Sequence, residues 1–449
     1  MPPAVAPLHV DRAFRFAPAA ILVCALVVTH VGTAAAQPVT PADPRGSRPP
    51  TLSVGVEFRE RMEATANAGT SPGRDDVFWL SRLRVSVTGR PTSWATMTAQ
   101  LQDARVAHKD IGPTGTPFSA PLDVRIAQVA LGRSTSQVSG TFGRQELAFG
   151  EQRLVGPVGW ANAARTFDAA RVTLRQSGLR VDGFLASVVR VRRTDWDRGG
   201  FGNQFHGVYA STTRVIPAAT VEPYFLWRAD RDQRTDAGTF TPRHLGTTGV
   251  RVAGTLHGTF EYGIESVVQR GSRGHEVERA YAQHLRLRLP ALTRGVRIVT
   301  EYNYASGDRT PGDGRHGTFD PLYPTPHDKY GLADQVGWRN VHHARAAVEI
   351  TRYAQLPIAA AYHSWWLASR TDALYTAGGA VAAQIPDGAP GRHVGQELDL
   401  QASHPFTSHV QVAGGYACLF PGTFLRAATP GARMHAAFLM LTIAATTGR

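Results

Sequence analysis

Hydrophobic and polar side chains alternate along most of this chain. In VFWLSRLRVSVTGR, residues 77–90, Val77, Trp79, Leu83, Val85 and Val87 share one parity, and Arg82, Arg84, Ser86 and Thr88 share the other. A strand of period two puts these sets on opposite faces. TLSVGVEFRER repeats the pattern, with Leu52, Val54, Val56 and Phe58 against Ser53, Gly55, Glu57, Arg59 and Arg61. In YAQHLRLRL, Leu285, Leu287 and Leu289 oppose His284, Arg286 and Arg288. In VRIVTEYNY, Val296, Ile298, Tyr302 and Tyr304 oppose Arg297, Glu301 and Asn303. From Thr51 onward about 18 such runs of roughly 9–13 residues follow one another, a length that suits tilted strands crossing a bilayer. No segment reads as a helix.

The links carry a second regularity. Short ones such as RPTS, RSTS, RQSG, VIPAA, TLHGT and HPFTS alternate with long ones over 63–76, 105–123, 145–167, 191–203, 230–244, 270–279, 305–340, 369–393 and 419–432. Long comes first and the order does not break. Outer-membrane barrels keep short turns on the periplasmic side and long loops outside, whereas a soluble sandwich has no reason to sort its links. The expectation is an all-β transmembrane antiparallel barrel of about 18 strands, apolar parity toward lipid and polar parity toward a lumen. Trp79, Trp227, Trp365 and Trp366 at strand ends fit interfacial girdles.

The N-terminus supports export. Arg12 and Arg15 precede the apolar run AAILVCALVV, and TAAAQ follows, so residues 1–36 read as a signal peptide cleaved after Ala36. Residues 37–50, QPVTPADPRGSRPP, read as a Pro-rich linker, and 51–449 as the barrel. Removal of the signal takes Cys24 and leaves Cys418 alone, so no intrachain disulfide staples the mature chain. At 449 residues two or three domains would be the ordinary expectation, but large barrels are the standing exception.

Charge then refines the picture. The chain carries 48 Lys and Arg against 35 acidic residues, and only Lys109 and Lys329 are lysines. The positive charge is scattered through strands rather than gathered in tails, which argues against a nucleic-acid partner.

Two long segments carry more than barrel statistics: GTFGRQELAFGEQRLVGPVGWANAARTFDAARV at 140–172 and YASGDRTPGDGRHGTFDPLYPTPHDKYGLADQVGWRN at 304–340. With GYACLFPGTFLR at 415–426, they resemble the alginate export family of outer-membrane barrels over roughly Thr51 to the C-terminus. The resemblance implies an 18-stranded barrel whose outer loops fold over or into the pore, with an arginine-lined constriction for a uronate polymer. The chain departs from such barrels at its end, where Ala445 stands near the expected terminal aromatic residue.

An anion path needs fixed positive charge in a narrow passage, and arginine stays protonated and grips carboxylates with paired hydrogen bonds. The lumen candidates on strands are Arg59, Arg61, Arg82, Arg84, Arg171, Arg175, Arg286, Arg288 and Arg297, with Glu301 among them. Arg144 and Arg153, in the first long segment, are expected in a loop that narrows the pore. The plain structural alternative for any one arginine is a wall-bracing pair with carboxylates such as Glu57, Glu301, Glu349, Glu397 and Asp399. Asp308, Asp313, Asp320 and Asp328 raise calcium as an alternative, but their spacing matches no EF-hand and the intervening Gly and Pro read as turns. His342 and His343 are adjacent, hence on opposite strand faces, and do not readily share a metal. No nucleophile elbow, HExxH or phosphate loop is present, so the expectation is no enzyme and no cofactor. The expected function is passive export or diffusion of an anionic saccharide across a Gram-negative outer membrane. Lipid, the barrel-insertion machinery and periplasmic polymer-secretion proteins are the expected partners. The alternatives are an anion-preferring porin for small carboxylates and a loop-plugged structural or adhesion barrel.

Overall fold

The computed structural model describes residues 51–448, apart from 193, 194, 237, 292, 352 and 354. The segments expected to form a signal peptide and a Pro-rich linker therefore lie outside the described residues. The first strands are β1 (Thr51–Ala66), β2 (Asp76–Thr92), β3 (Ala95–Ala107), β4 (Ala120–Leu131), β5 (Val138–Gln145) and β6 (Phe167–Gln176). There follow β7 (Leu179–Val188), β8 (Asn203–Thr212), β9 (Ala219–Arg234), β10 (Phe240–Leu256), β11 (Phe260–Arg273), β12 (Glu276–Pro290) and β13 (Val296–Ala305). The last spanning strands are β15 (Val341–Ile350), β16 (Ile358–Leu367), β19 (His393–Pro405), β20 (Val410–Pro421) and β21 (Met434–Gly448). Each pairs antiparallel with the next, and β21 pairs with β1, so these eighteen strands close a barrel. Three short strands belong to the long loops: β14 (Arg315–His316), parallel to β12, and the hairpin of β17 (Leu374–Tyr375) with β18 (Val381–Ala383). No described helix is long and apolar enough to cross a membrane; the strands do so.

The two parities separate as the alternation requires. Leu52, Val87, Leu101, Val172, Leu174, Leu185, Val208 and Leu285 are exposed on the outside, where hydrocarbon covers them. Arg59, Arg61 and Arg82 are buried on the opposite face. Trp79 and Trp366 lie on the outer surface, but Trp365 is fully buried and stacks inward near His343 and His363. Adjacent residues on one strand cannot both join a girdle.

Two links differ from expectation. β9 and β10 are joined by residues 235–239 and β11 and β12 by 274 and 275 alone, where long loops are expected over 230–244 and 270–279. The polar segments stay in the ladder because charge pairs clamp them. The Arg243 Nε donates to Glu278 at 2.9 Å and the Arg273 guanidinium pairs with the same carboxylate at 2.7 Å.

The interior is not uniformly polar. Phe167, Phe184, Phe205, Tyr209, Tyr224 and Leu226 point inward from β6 to β9 and form a buried core with Leu147, Leu154, Tyr323 and Trp338 of the inward loops. Burial of each such side chain contributes about 1.5–3 kcal/mol, enough in sum to hold loops inside the barrel.

Candidate functional site: the lumen and its inward loops

Two loops enter the lumen. The segment 146–166 leaves β5 and crosses from one wall to the other. On the β1–β2 wall, Arg59 Nη1 donates to the Gly159 carbonyl at 3.0 Å and Nη2 to that of Trp160 at 3.0 Å. Arg61 Nη1 reaches the Trp160 carbonyl at 2.7 Å, and its guanidinium lies 3.7 Å above the indole. Arg82 donates to Gly159 and to Glu57. On the far wall, Glu151 meets Arg251 of β10 at 3.0 Å and Arg286 of β12 at 3.1 Å. Arg153 Nη2 donates to Glu301 of β13 at 2.9 Å.

The second segment, 306–340, packs beside the first. Gly156 N donates to Tyr323 O and Tyr323 N to Leu154 O, a short ladder between the loops. Gly156 permits this approach, since a Cβ there would lie 2.2 Å from Thr325 Oγ1. His327 stacks on Trp160 at 3.7 Å. The loop's ends are fixed to opposite walls: Asp320 pairs with Arg228, Arg243 and Arg339, and the amides of Leu332 and Ala333 donate to Asp399 and Glu397 of β19.

These loop charges are tuned by their surroundings. Burial alone would raise the Glu151 carboxyl, yet His284, Arg153 and Arg286 hold it far below the usual carboxylate range. Asp320 behaves likewise beneath Arg228, Arg243 and Arg339. Both are therefore fixed anions that neutralise part of the arginine wall.

Arg59, Arg61, Arg82 and Arg153 are each 4% exposed or less, and Glu301 is closed between Arg153 and Arg345. Arg84 is nearly as enclosed, donating to Gln102 at 2.8 Å. A second set is more open. The side chains of Arg171, Arg286, Arg288 and Arg297 are 24%, 29%, 31% and 38% exposed. Arg175 donates to Ser139 and sits opposite Arg180, which is 48% exposed, beside the β6–β7 turn. Arg288 and Arg297 flank the β12–β13 turn and share Glu261, and Arg288 also pairs with Glu349. A cleft of about 310 Å³ opens there, lined by Glu261, Arg294 and Arg297. The open arginines therefore gather between the inward loops and the short-turn end.

Arg144 requires a correction. It lies on β5, not in a loop, directly opposite Asp168, to which its Nε donates at 2.8 Å. Asp168 shares the parity of the lipid-facing Val172 and Leu174, and Arg144 that of the exposed Phe142. It faces outward near the outer rim, because GTFGRQ is a strand and period two places residue 144 with residue 142. The calcium alternative is not assembled by its four aspartates either. Asp320 is surrounded by guanidiniums, and Asp313 accepts from the amide of Arg315. Asp308 meets Asp236 and His316 instead.

Sequence reasoning missed Arg251 and Arg180, whose parity in GVRVAGTL and GLRVDGF was readable by the same rule. It also missed a buried chain along the inner wall, from His284 to Asn303 (2.6 Å), His343 (3.0 Å) and His363 (2.9 Å), ending 3.2 Å from Asp399. Only the register of four strand pairs sets these side chains in one row, and no local pattern reveals it.

The family profile described as Alginate export matches residues 51–439. The chain belongs to this family. As an alginate export family member it is an outer-membrane β-barrel of the channel type. Among solved structures, Pseudomonas aeruginosa OccK11 (OpdR) is similar at 14% identity and a TM-score of 0.56, covering 89% of this chain and 96% of that one. Acinetobacter baumannii OccAB2 is similar at 9% identity and a TM-score of 0.59, covering 88% and 98%. Pseudomonas aeruginosa OccK2 (OpdF), solved in complex with glucuronate, is similar at 9% identity and a TM-score of 0.57, covering 88% and 96%. At these identities the likeness speaks for the barrel alone. A comparison with curated protein sequences gives no significant match.

Proposed function

We propose that this alginate export family barrel passes an anionic saccharide, a uronate chain or its fragments, by passive diffusion along the open arginines of its lumen. The observation that carries the reading is the set Arg171, Arg175, Arg286, Arg288 and Arg297, inward-facing and only partly matched by carboxylates. Fixed cations in a confined, low-dielectric passage raise the local concentration of anions. Guanidinium forks suit carboxylates spaced along a sugar chain, and each contact is weak enough to release. The uronate bound to OccK2, a barrel of the same fold, supports this substrate class.

A second reading has its own support. The segments 146–166 and 306–340 meet inside the barrel, which favours a small carboxylate over a polymer. Recording single channels in planar bilayers separates the two. Current blocked by oligouronate at lower concentration than by monomeric glucuronate supports the saccharide path. Equal sensitivity supports the small-anion porin, and a barrel with no current contradicts both.

A further inference from the structure

Outside the lumen, the outer ends of β9 to β12 carry charge that the fold leaves unanswered. Phe225, Val268 and Tyr281 are 46–47% exposed on the lipid face. One step further along the same face, Arg270 of β11 stands directly opposite Arg279 of β12. Like charges in direct cross-strand register destabilise a ladder. Neither guanidinium has an ion pair or side-chain hydrogen bond among the described residues. The two carboxylates between them in sequence share the opposite parity: Glu278 is taken by Arg243 and Arg273, and Glu276 accepts from the Asp236 amide.

The surroundings define what is missing. Arg270 pairs with Gly246, and Gly246 with Trp227, so indole and guanidinium share one row across a residue without a side chain, over which the Phe225 ring lies 3.5 Å from where a Cβ would stand. The His244 ring lies tilted against Trp227 at 5.8 Å, one step further out. Tyr281 bonds Tyr304 at 3.1 Å, and Tyr304 packs on His342 at 4.8 Å, continuing an aromatic belt around the outside. Such belts mark the membrane–water interface. The arginine pair therefore stands at headgroup height, on the side of the long loops, with apolar surface below and an aromatic plate beside it.

We propose that this face binds the phosphates of an outer-leaflet glycolipid, with Arg270 and Arg279 gripping phosphate oxygens, Trp227 packing against the sugar and Phe225 and Val268 against acyl chains. Guanidinium forks match phosphate geometry bidentately, and a shared anion turns a repelling pair into a clamp. The partner is chosen by charge complementarity. A zwitterionic phospholipid would bring its own cation and leave the pair less well answered.

The test uses the protein folded in detergent micelles, diphosphoryl lipid A as probe, and native mass spectrometry to count retained lipid. The wild type should retain lipid A, and R270S/R279S should lower retention by roughly tenfold. R270K/R279K should fall between them. R133S, at the β4–β5 turn on the opposite end, should have no effect. Heat-modifiable migration checks that each variant is a folded barrel, and relieving the repulsion favours folding of the double variant. Phosphate-free lipid A should be retained weakly by the wild type, an arm that does not depend on any variant. Equal retention by R270S/R279S, or of the phosphate-free lipid by wild type, would overturn the proposal.

Discussion

Arg153 and Arg288 both face the interior, but their surroundings assign them different work. Arg153 is buried against Glu301 and the Tyr330 hydroxyl, and the fixed Glu151 lies 3.6 Å away. Removing it strands buried carboxylates, so Arg153→Ser should cost about 3–5 kcal/mol, read from denaturant unfolding in micelles. Arg288 is nearly a third open, so Arg288→Ser should cost under about 1 kcal/mol while lowering anion selectivity. Equal costs for the two would refute the division into plug-holding and path-facing arginines. His316 supplies a pH-dependent contact. Burial disfavours its charged form, but Asp236 at 3.1 Å and Asp308 at 3.5 Å outweigh that and raise its pKa, with the Arg273 guanidinium as the opposing neighbour. A histidine raised in the folded state stabilises at low pH and loses that contribution as pH rises through the folded value. Hydrogen exchange over 306–320 should therefore speed up beyond its intrinsic rate as pH rises above the ordinary histidine range, and His316→Gln should flatten the profile. At this scale sequence parity placed most arginines on the inner face. It could not tell which of them a loop would cover, because the covering contacts come from residues such as Gly159 and Trp160, about a hundred positions away.

Single strands express the alternation most directly. Val85 faces out, while Ser86 faces in and accepts from Gln100 Nε2 at 2.8 Å. Val85→Arg should destabilise assembly by about 2–4 kcal/mol if it lies near the midplane, whereas Ser86→Arg should be tolerated. The fraction of heat-resistant folded barrel checks both, and equal loss, or greater loss from Ser86→Arg, would contradict this assignment of faces. The strands were legible because lipid and lumen impose opposite demands on neighbouring residues. The ends of β9 to β12 were not, since outside the membrane both faces are polar and a ladder resembles a loop. Arg144 failed for a related reason: GTFGRQ is rich in Gly and polar residues, and its strand character comes from pairing with β4 and β6.

For the whole molecule, the alternation of link lengths and the closure of β1 on β21 yield one architecture, and both follow from a bilayer that admits no open sheet edge. What fills that architecture was less legible. The two inward loops could be suspected from their length and from family resemblance, but their mutual ladder, their aromatic core and their ties to opposite walls depend on tertiary packing. The open arginines left between these loops and the short-turn end are the basis of the proposed anion path. The reversal potential across a planar bilayer under a KCl gradient tests this most directly. The wild type should be anion-selective, and replacing Arg171, Arg175, Arg286, Arg288 and Arg297 with Ser should shift the potential toward the cation side in a barrel that still folds. A folded channel whose selectivity is cationic at the outset, or unchanged by the five substitutions, would contradict the account.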